Sequence, residues 1–496
     1  MKRREMPGAG VKVVSVATPH QLANRTVLSA AMRFCDVALL AVLVASARCF
    51  GDEVFGLFMF GLTLATVVVA PTLESFAPVI AKRAATGPAR VGIHIGRMLP
   101  IQAVLLVGLA VCAWGGMRWA GWDLAKQHVV LVMIGALGAR GVFEIFRNAI
   151  RGLGRLDVEL GLLATERGLL VGGAALVLIR GGGPVALGAC FVLARLVGIL
   201  LGLRWIRRRG YDIPWRVTGW SREGLEAVPY GLTILSNAAY AGVGVFCLSW
   251  LWNDAVTGHY SAAYRVIEAT GSFSQILGMV LLPELAIRRS IAPERVAPLA
   301  RKAVAYTTLV ALPLAAAFFL EARWLIGIIF GSGFGEAVNP FRLLSLGLWF
   351  VFAGEIARTV LWAVDRQRFA LGVMVLALLV NIGINLWLTP SWGAGGAALA
   401  MTVSGAVVCL ASWYRLQHDG ISWSWSAVMI RPAAVTGTVC LILLVLRAWS
   451  WPVRLLGAGL GGLATACLTG ALTLAEWDLV RAVPKQLFPV ENRRKQ

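Results

Sequence analysis

The chain has 496 residues, of which 58% are hydrophobic and only 14% are charged, and its mean hydropathy is +0.75. A soluble globular domain carries about a quarter charged residues, so this composition excludes a soluble protein and indicates a membrane protein. The formal net charge is +21, which raises the question of nucleic-acid binding.

Apolar runs follow one another along the whole chain, separated by arginine clusters, Gly and Pro turns and tryptophans. Each is long enough to cross about 30 Å of hydrocarbon as a helix of roughly 20 residues. The sequence therefore predicts an all-α, polytopic membrane protein with about 14 transmembrane helices. The approximate spans are 26–48, 54–80, 99–117, 127–147, 158–179, 184–205, 228–250, 256–283, 303–320, 341–362, 369–389, 394–414, 428–446 and 455–475.

The positive charges are distributed unevenly between the two sides of the membrane. With the N-terminus in the cytoplasm, both tails and the loops on that side hold 32 Lys and Arg, whereas the opposite loops hold eight. This is the positive-inside pattern, so we predict cytoplasmic N- and C-termini. The excess of Lys and Arg is then explained by the membrane topology and by contact with anionic membrane lipids. We therefore expect no nucleic-acid partner.

Two short segments each recur later in the chain, and we call each such repetition an echo. EIFRNAIRGLGR (144–155) returns as EIARTVLWAVDR (355–366), and GDEVFGLF (51–58) resembles NDAVTGHY (253–260). Since six spans is an even number, a second copy enters the membrane in the same orientation. We therefore predict two six-helix bundles related by a pseudo-two-fold axis along the membrane normal, with two extra C-terminal helices, an organisation typical of transporters.

The predicted domains follow from this division. They are a cytoplasmic tail (1–25), an N-lobe (26–206), a cytoplasmic inter-lobe loop (207–227), a C-lobe (228–415), the last two spans (416–475) and a second cytoplasmic tail (476–496).

Twelve ionisable residues fall inside the spans, and none of them lies in the last two. Each would cost about 2.5–3.5 kcal/mol near the helix centre if it faced lipid, so we expect them to face a cavity or each other. Several are spaced to pair on one helical face, namely Arg33 with Asp36, Arg140 with Glu144, Arg265 with Glu268 and Glu355 with Arg358. Structural ion pairs are the alternative to a binding role. Arg195 and Glu74 have no same-helix partner and need a cross-helix partner or a ligand. The twelve are Arg33, Asp36, Glu74, Arg140, Glu144, Glu166, Arg167, Arg195, Arg265, Glu268, Glu355 and Arg358.

Signatures of enzymes are weak. The five histidines are scattered, so no metal site is predicted, and the glycine-rich FGSGFGEA (330–337) lacks the strand-turn-helix context of a nucleotide loop. We predict a transporter and not an enzyme, without a cofactor, driven by an ion gradient, the membrane potential or the substrate gradient.

Several longer stretches carry a family resemblance. TVLSAAMRFCDVALLAVLVASARCFGDEVFGLFMFG (26–61), VPYGLTILSNAAYAGVGVF (228–246) and NIGINLWLTPSWGAGGAALAMTVSGA (381–406) are examples. They resemble the polysaccharide flippases, the O-antigen (Wzx-type) transporters of the multidrug/oligosaccharidyl-lipid/polysaccharide (MOP) superfamily, over most of the chain.

The resemblance implies a multi-pass protein of the bacterial inner membrane, with two bundles forming a V around a central cavity. It would move an undecaprenyl-pyrophosphate-linked oligosaccharide, such as a repeat unit of O-antigen lipopolysaccharide or of an exopolysaccharide, to the outer leaflet by alternating access. A polysaccharide polymerase and glycosyltransferases are possible partners.

On this interpretation we expect the substrate to contact six residues of the cavity: Arg33, Arg140, Arg265, Arg358, Asn381 and Asn385. Five carboxylates would orient these arginines or carry a coupling proton or sodium ion: Asp36, Glu74, Glu144, Glu268 and Glu355. For the two asparagines, an inter-helix hydrogen bond is the alternative to a sugar contact.

Three other functions stay open. A lipid II flippase shares the 14-span layout, and its N-terminal pattern is partly matched by Ser29, Arg33 and Asp36. A cation-coupled multidrug exporter of the same superfamily predicts isolated carboxylates in an aromatic pocket. A membrane-embedded glycosyltransferase, ligase or polymerase predicts a large outer loop, whereas the longest outer connection (321–340) is short and mostly apolar. A non-transporting scaffold is a further alternative, but it leaves the paired charges without a role.

Overall fold

The computed structural model describes residues 19–73, 75–214, 220–421 and 425–470, with side chains described for 39–72, 75–214, 224–421 and 428–470. Regular structure in this part of the chain is entirely helical, which confirms the predicted fold class. Thirteen described helical segments are long and apolar enough to cross a membrane. One of them contains a break, so the predicted number of about 14 agrees with the structure.

Six helices form the first half of the chain. They are α1 (Pro19–Leu73), α2 (Ala77–Thr86), α3 (Val91–Trp119), α4 (Leu124–Gly152), α5 (Leu156–Ile179) and α6 (Pro184–Arg208). The first two predicted spans both lie largely within α1, which is interrupted at Gly51. Gly51 has φ +76°, a conformation that glycine adopts without steric cost, so the turn between the two spans needs no loop.

The second half of the chain contains nine further helices. They are α7 (Trp220–Leu251), α8 (Asp254–Ile291), α9 (Val296–Leu320), α10 (Ala322–Phe330), α11 (Val338–Ala363), α12 (Gln367–Trp392), α13 (Ala394–His418), α14 (Trp425–Val445) and α15 (Trp451–Leu468). The short helix α10 fills the connection that the sequence predicts as an outer loop. It forms because Ile326 and Phe330, one turn apart, are both buried.

The packing of the helices repeats between the halves. α4 carries the first copy of the longer echo and packs against α1 and α6, whereas α11 carries the second copy and packs against α8 and α13. The later part of α1 and α8 occupy corresponding places in the two six-helix units, as do α6 and α13. Corresponding helices thus have corresponding neighbours, which supports duplication.

The two copies of the shorter echo meet face to face where α1 crosses α8. A methyl group placed on Gly56 would lie 1.7 Å from the carbonyl oxygen of Asp254, and one placed on Gly258 would lie 2.1 Å from that of Asp52. Gly56 and Gly258 occupy the same position in the echo, and so do Asp52 and Asp254. Such a reciprocal contact is expected when two copies of a segment meet across a two-fold axis.

The last two helices pack on the outside of this assembly, since α14 contacts α9 and α15. Gly457 and Gly461 let α15 approach α14 closely, because a methyl group on Gly461 would lie 2.1 Å from the Ile442 side chain. Small residues spaced four apart commonly bring membrane helices together in this way.

Candidate substrate site

The predicted site residues fall into four groups in the structure. Arg33, Asp36 and Glu74 lie outside the residues whose side chains are described. The others form a charged pair on α8, charged pairs on the two echo helices α4 and α11, and an amide pair on α12.

One member of the α8 pair, Glu268, borders a cavity. Arg265 and Glu268 lie one turn apart on α8, and a hydrogen bond of 2.6 Å joins Arg265 Nη1 to Glu268 Oε2. Glu268 lines a cavity of about 190 Å³ among α7, α8, α11 and α13. Its side chain is 43% exposed, so the carboxylate is open to the cavity. Arg265 Nε is buried and has no hydrogen-bond partner in the described residues, so this guanidinium has an unused donor.

The remainder of this cavity is lined by polar and aromatic groups that can recognise sugars. Asn237 and Tyr240 reach it from α7, and Tyr264 and Gln275 reach it from α8. These residues were not among the predicted site residues, because the prediction rested on charged side chains and on the amides of α12. The spacing of Tyr260, Tyr264 and Glu268 at intervals of four on one apolar helix was the available signal.

The echo helices carry the same ion pair in both halves. On α4, Arg147 Nη2 lies 2.8 Å from Glu144 Oε2. On α11, Arg358 forms the corresponding ion pair with Glu355, and its guanidinium lies 5.1 Å from the centre of the Trp362 ring. The repeated Glu-Ile-x-Arg motif therefore encodes an i,i+3 salt bridge in each lobe.

The α4 pair belongs to a more closed network than the α11 pair. Glu144 is buried and also accepts a hydrogen bond of 3.0 Å from Asn148 Nδ2. Arg140 lies one turn before Glu144 and is half-buried. Glu159 of α5 is completely buried and forms an ion pair with Arg151. These contacts fasten α4 to α5.

Arg195 has a cross-helix partner, one of the two alternatives that the sequence left open. Its Nε lies 3.5 Å from Glu166 Oε1 on α5, and its Nη1 donates a hydrogen bond of 2.6 Å to the carbonyl oxygen of Ala136 on α4. Glu166 also pairs with Arg167 at 3.2 Å. Because Arg195 and Glu166 are each only 2% exposed, this network joins three helices inside the N-terminal half.

The amides of α12 form a buried hydrogen-bonded chain. Asn385 Nδ2 donates to Asn381 Oδ1 at 2.7 Å, and Asn381 Nδ2 donates to Ser404 Oγ on α13 at 3.0 Å. Ser404 Oγ in turn lies 3.1 Å from the Tyr240 hydroxyl of α7. Asn381 and Asn385 are 1% and 0% exposed, so in this conformation their hydrogen bonds connect helices.

A metal centre finds no support in the described part of the chain, where no group of three or more His, Cys, Asp or Glu side chains could hold an ion. The charged and polar side chains around Glu268 can form hydrogen bonds and ion pairs with a polar organic molecule.

Solved structures resemble this fold over most of the chain. The inward closed conformation of the lipid II flippase MurJ superposes with a TM-score of 0.74 at 12% sequence identity, covering 92% of this chain and 99% of that one. An inward-facing multidrug resistance MATE transporter of the MOP superfamily gives a TM-score of 0.67 at 15% identity, covering 78% and 95%. The chain therefore has the fold of these multi-pass membrane proteins.

Curated relatives are named for glycan synthesis. The probable low-salt glycan biosynthesis flippase Agl15 of Haloferax volcanii is 20% identical over 418 residues, which is 80% of this chain and 85% of that protein. The capsular polysaccharide biosynthesis protein CapF of Staphylococcus aureus is 23% identical over 218 residues, which is 42% of this chain and 54% of CapF. The chain thus matches only about half the length of CapF.

The family model described as lipid II flippase MurJ matches residues 184–458, just over half of the chain. This chain belongs to the MurJ family. It is a lipid-linked glycan flippase of the MOP superfamily, which confirms the superfamily that its sequence resembles.

Proposed function

We propose that the protein moves an undecaprenyl-pyrophosphate-linked oligosaccharide, a repeat unit of a surface polysaccharide, across the bacterial inner membrane. Movement runs from the cytoplasmic to the outer leaflet by alternating access, with both termini in the cytoplasm. The observation that carries the proposal is Glu268, which forms an ion pair with Arg265 and is open to a cavity lined by tyrosines and amides.

The chemistry of this pair suits a pyrophosphate. A guanidinium binds phosphate oxygens through parallel charge-assisted hydrogen bonds, and Arg265 already has a buried donor without a partner. Glu268 holds Arg265 until the substrate arrives and then competes with it for the guanidinium.

Tyr240, Tyr264, Asn237 and Gln275 supply groups for the sugars next to the pyrophosphate. Aromatic faces and amides bind sugar rings and hydroxyls without requiring a particular charge. The polyprenyl chain stays in the lipid. The two halves, which meet at the α1–α8 crossing, alternately open the cavity to either side.

A second candidate substrate is lipid II, and the MurJ family match favours it. Lipid II carries the same polyprenyl pyrophosphate with a different glycan, so Arg265 and Glu268 would have the same role. Discrimination between lipid II and the other lipid-linked oligosaccharide would then depend on the side chains that face the sugar.

Purified protein in liposomes tests the proposal directly. Lipid-linked oligosaccharide and lipid II are each incorporated, and transfer between leaflets is measured by accessibility to an added sugar-modifying enzyme. We expect faster transfer of the oligosaccharide lipid than of lipid II. The reverse ranking would assign the protein to lipid II, and transfer of neither above the rate in protein-free liposomes would refute the flippase. Repeating the assay under a proton or sodium gradient identifies the coupling ion.

A further inference from the structure

A second cavity lies at the opposite end of the second half from the inner loops, and it is rich in arginine. It has a volume of about 570 Å³ and lies between the α9–α11 region and the pair α14–α15. Four arginines line it, and Glu321 is the one acidic residue among the lining residues. We call it the outer arginine pocket, defined by Arg323, Arg342, Arg447 and Arg454.

Four separate elements bring these arginines together. Arg323 lies at the start of α10, Arg342 at the start of α11, Arg447 in the turn after α14 and Arg454 at the start of α15. Helices distant in sequence therefore converge on one place. The excess of three positive charges leaves the pocket ready for an anion.

Two of the arginines are held in place and two are free. Arg454 Nη2 lies 3.1 Å from Glu321 Oε2, and Arg342 Nε donates a hydrogen bond of 3.3 Å to the carbonyl oxygen of Phe319. Arg454 Nε is buried and finds no acceptor among the described residues. Arg323 and Arg447 are exposed at the rim and form no ion pair with described residues. The pocket thus combines oriented donors with unneutralised charge.

The surroundings place the pocket at the depth of lipid headgroups. The Trp324 and Trp451 rings pack with their centres 4.8 Å apart, and Trp324 also lines the pocket. Paired tryptophans of this kind are typical of the membrane–water interface. On the predicted topology this is the outer interface.

A long apolar groove adjoins the pocket on its membrane side. It has a volume of about 550 Å³ and is lined by α9, α14 and α15, including Ala317, Val439 and Leu455. Ala317 lies one helical turn or less from the pocket residues Phe319 and Leu320, and Leu455 directly follows Arg454. A ligand with a charged head and a hydrocarbon chain fits both spaces at once.

The distribution of charge along the chain points to the same place. The sequence assigns only eight Lys and Arg to the outer side of the membrane, and four of these eight form this pocket. Because basic residues are generally depleted on that side, their convergence calls for a specific anionic partner.

We propose that the outer arginine pocket binds the phosphate group of a membrane lipid in the outer leaflet, with the lipid's hydrocarbon chain in the adjoining groove. This is a second lipid-phosphate site, separate from the Glu268 cavity. Guanidinium groups favour phosphate oxygens through paired hydrogen bonds, and a lipid anchors the phosphate beside the groove.

Native mass spectrometry of the full-length protein in detergent tests the site. The protein is titrated with dioleoyl phosphatidic acid, with dioleoyl phosphatidylcholine and with inorganic phosphate. We expect phosphatidic acid to bind about tenfold more tightly than phosphatidylcholine, as expected for several charge-assisted hydrogen bonds. We also expect the variant R323A/R447A to lose most of this preference. The matched control R118A/R180A removes two exposed outer arginines that lie elsewhere and should keep the preference.

Equal binding of the two lipids by the unmodified protein would overturn the proposal without recourse to any variant. So would an R323A/R447A variant that behaves like R118A/R180A. Displacement of phosphatidic acid by an equal concentration of inorganic phosphate would overturn the lipid assignment in favour of a soluble anion. Because this experiment measures lipid binding, its result does not depend on the outcome of the transport assay.

Discussion

The two halves of the molecule use intramembrane charge differently. In the N-terminal half, Arg195 and Glu166 are sealed among α4, α5 and α6, and Glu159 is completely buried beneath Arg151. In the C-terminal half, Glu268 borders a cavity, and the side chains of Glu268 and its ion-pair partner Arg265 remain partly exposed. The repeated Glu-Ile-x-Arg pair is common to both halves, so the difference arises in the helices around it.

This difference indicates a division of labour between the halves. Charges that are closed off from their surroundings hold helices at fixed positions, whereas charges open to a cavity can exchange partners with a ligand. The N-terminal network therefore serves as a rigid body. The C-terminal pair is the better candidate for contact with pyrophosphate.

The largest expected effect tests the closed network. Arg195→Ala removes one partner of a buried ion pair and leaves the Glu166 carboxylate buried without it. We expect a loss of about 3–5 kcal/mol in the free energy of unfolding, measured by thermal or denaturant unfolding in detergent. The control is Arg180→Ala, which removes an exposed arginine from the loop between α5 and α6. A small and equal effect of both substitutions would contradict a structural role for Arg195.

The next-largest effect concerns the Arg265–Glu268 pair. Arg265→Ala should lower the rate of lipid-linked oligosaccharide transfer at least about tenfold, because charge-assisted hydrogen bonds to the pyrophosphate are lost. Arg288→Ala removes a comparable ion pair on the same helix, since Arg288 Nε lies 2.7 Å from Glu284 Oε1 at an exposed position. The control should retain its rate. Normal transfer by Arg265→Ala would remove the C-terminal pair from the proposed site.

A third prediction concerns the place where the halves meet. Gly258→Ala puts a methyl group 2.1 Å from the carbonyl oxygen of Asp52, so we expect a destabilisation of about 1–3 kcal/mol. Gly372→Ala on α12 meets nothing within 4 Å and should be neutral or slightly stabilising. Thermal unfolding of the two variants measures the difference. Identical melting temperatures would show that the backbones of α1 and α8 are farther apart at the crossing than in the structure.

The smallest expected effect lies in the loop after α13. Burial alone would raise the pKa of Asp419, but the hydrogen bond from Arg366 and the charges of Arg366 and Arg415 outweigh it and lower the pKa. The resulting stability is present above the ordinary pKa of a carboxyl group and is lost as the pH falls toward the lowered value. We expect the difference in stability between the native protein and Asp419→Asn, at most about 1 kcal/mol, to shrink between pH 7 and pH 3. A pH-independent difference would exclude this linkage.

Much of the architecture could be predicted because bilayer physics leaves few options. The number and order of the helices followed from the length of apolar runs, and the shorter echo identified the segments that meet at Gly56 and Gly258. The helix α10 was not predicted, because a short apolar run between two spans looks the same whether it forms a loop or a helix.

The candidate site was less accessible to sequence reasoning. Spacing predicted the Arg265–Glu268 and Glu355–Arg358 pairs, since both are local to one helix. The partner of Arg195 lies 29 positions earlier on another helix, and its identity depends on helix rotation. The outer arginine pocket is distributed over four elements, so no local pattern reveals it.

The crossing of Gly56 and Gly258 has a consequence for how the halves can move. Backbone meets backbone at these two glycines, and beside them His259 Nε2 of α8 lies 3.2 Å from Asp52 Oδ2 of α1. At the glycines themselves, one lobe can therefore tilt on the other without displacing a bulky side chain. The crossing is therefore a pivot point for the two halves, and each half supplies the same surface to it.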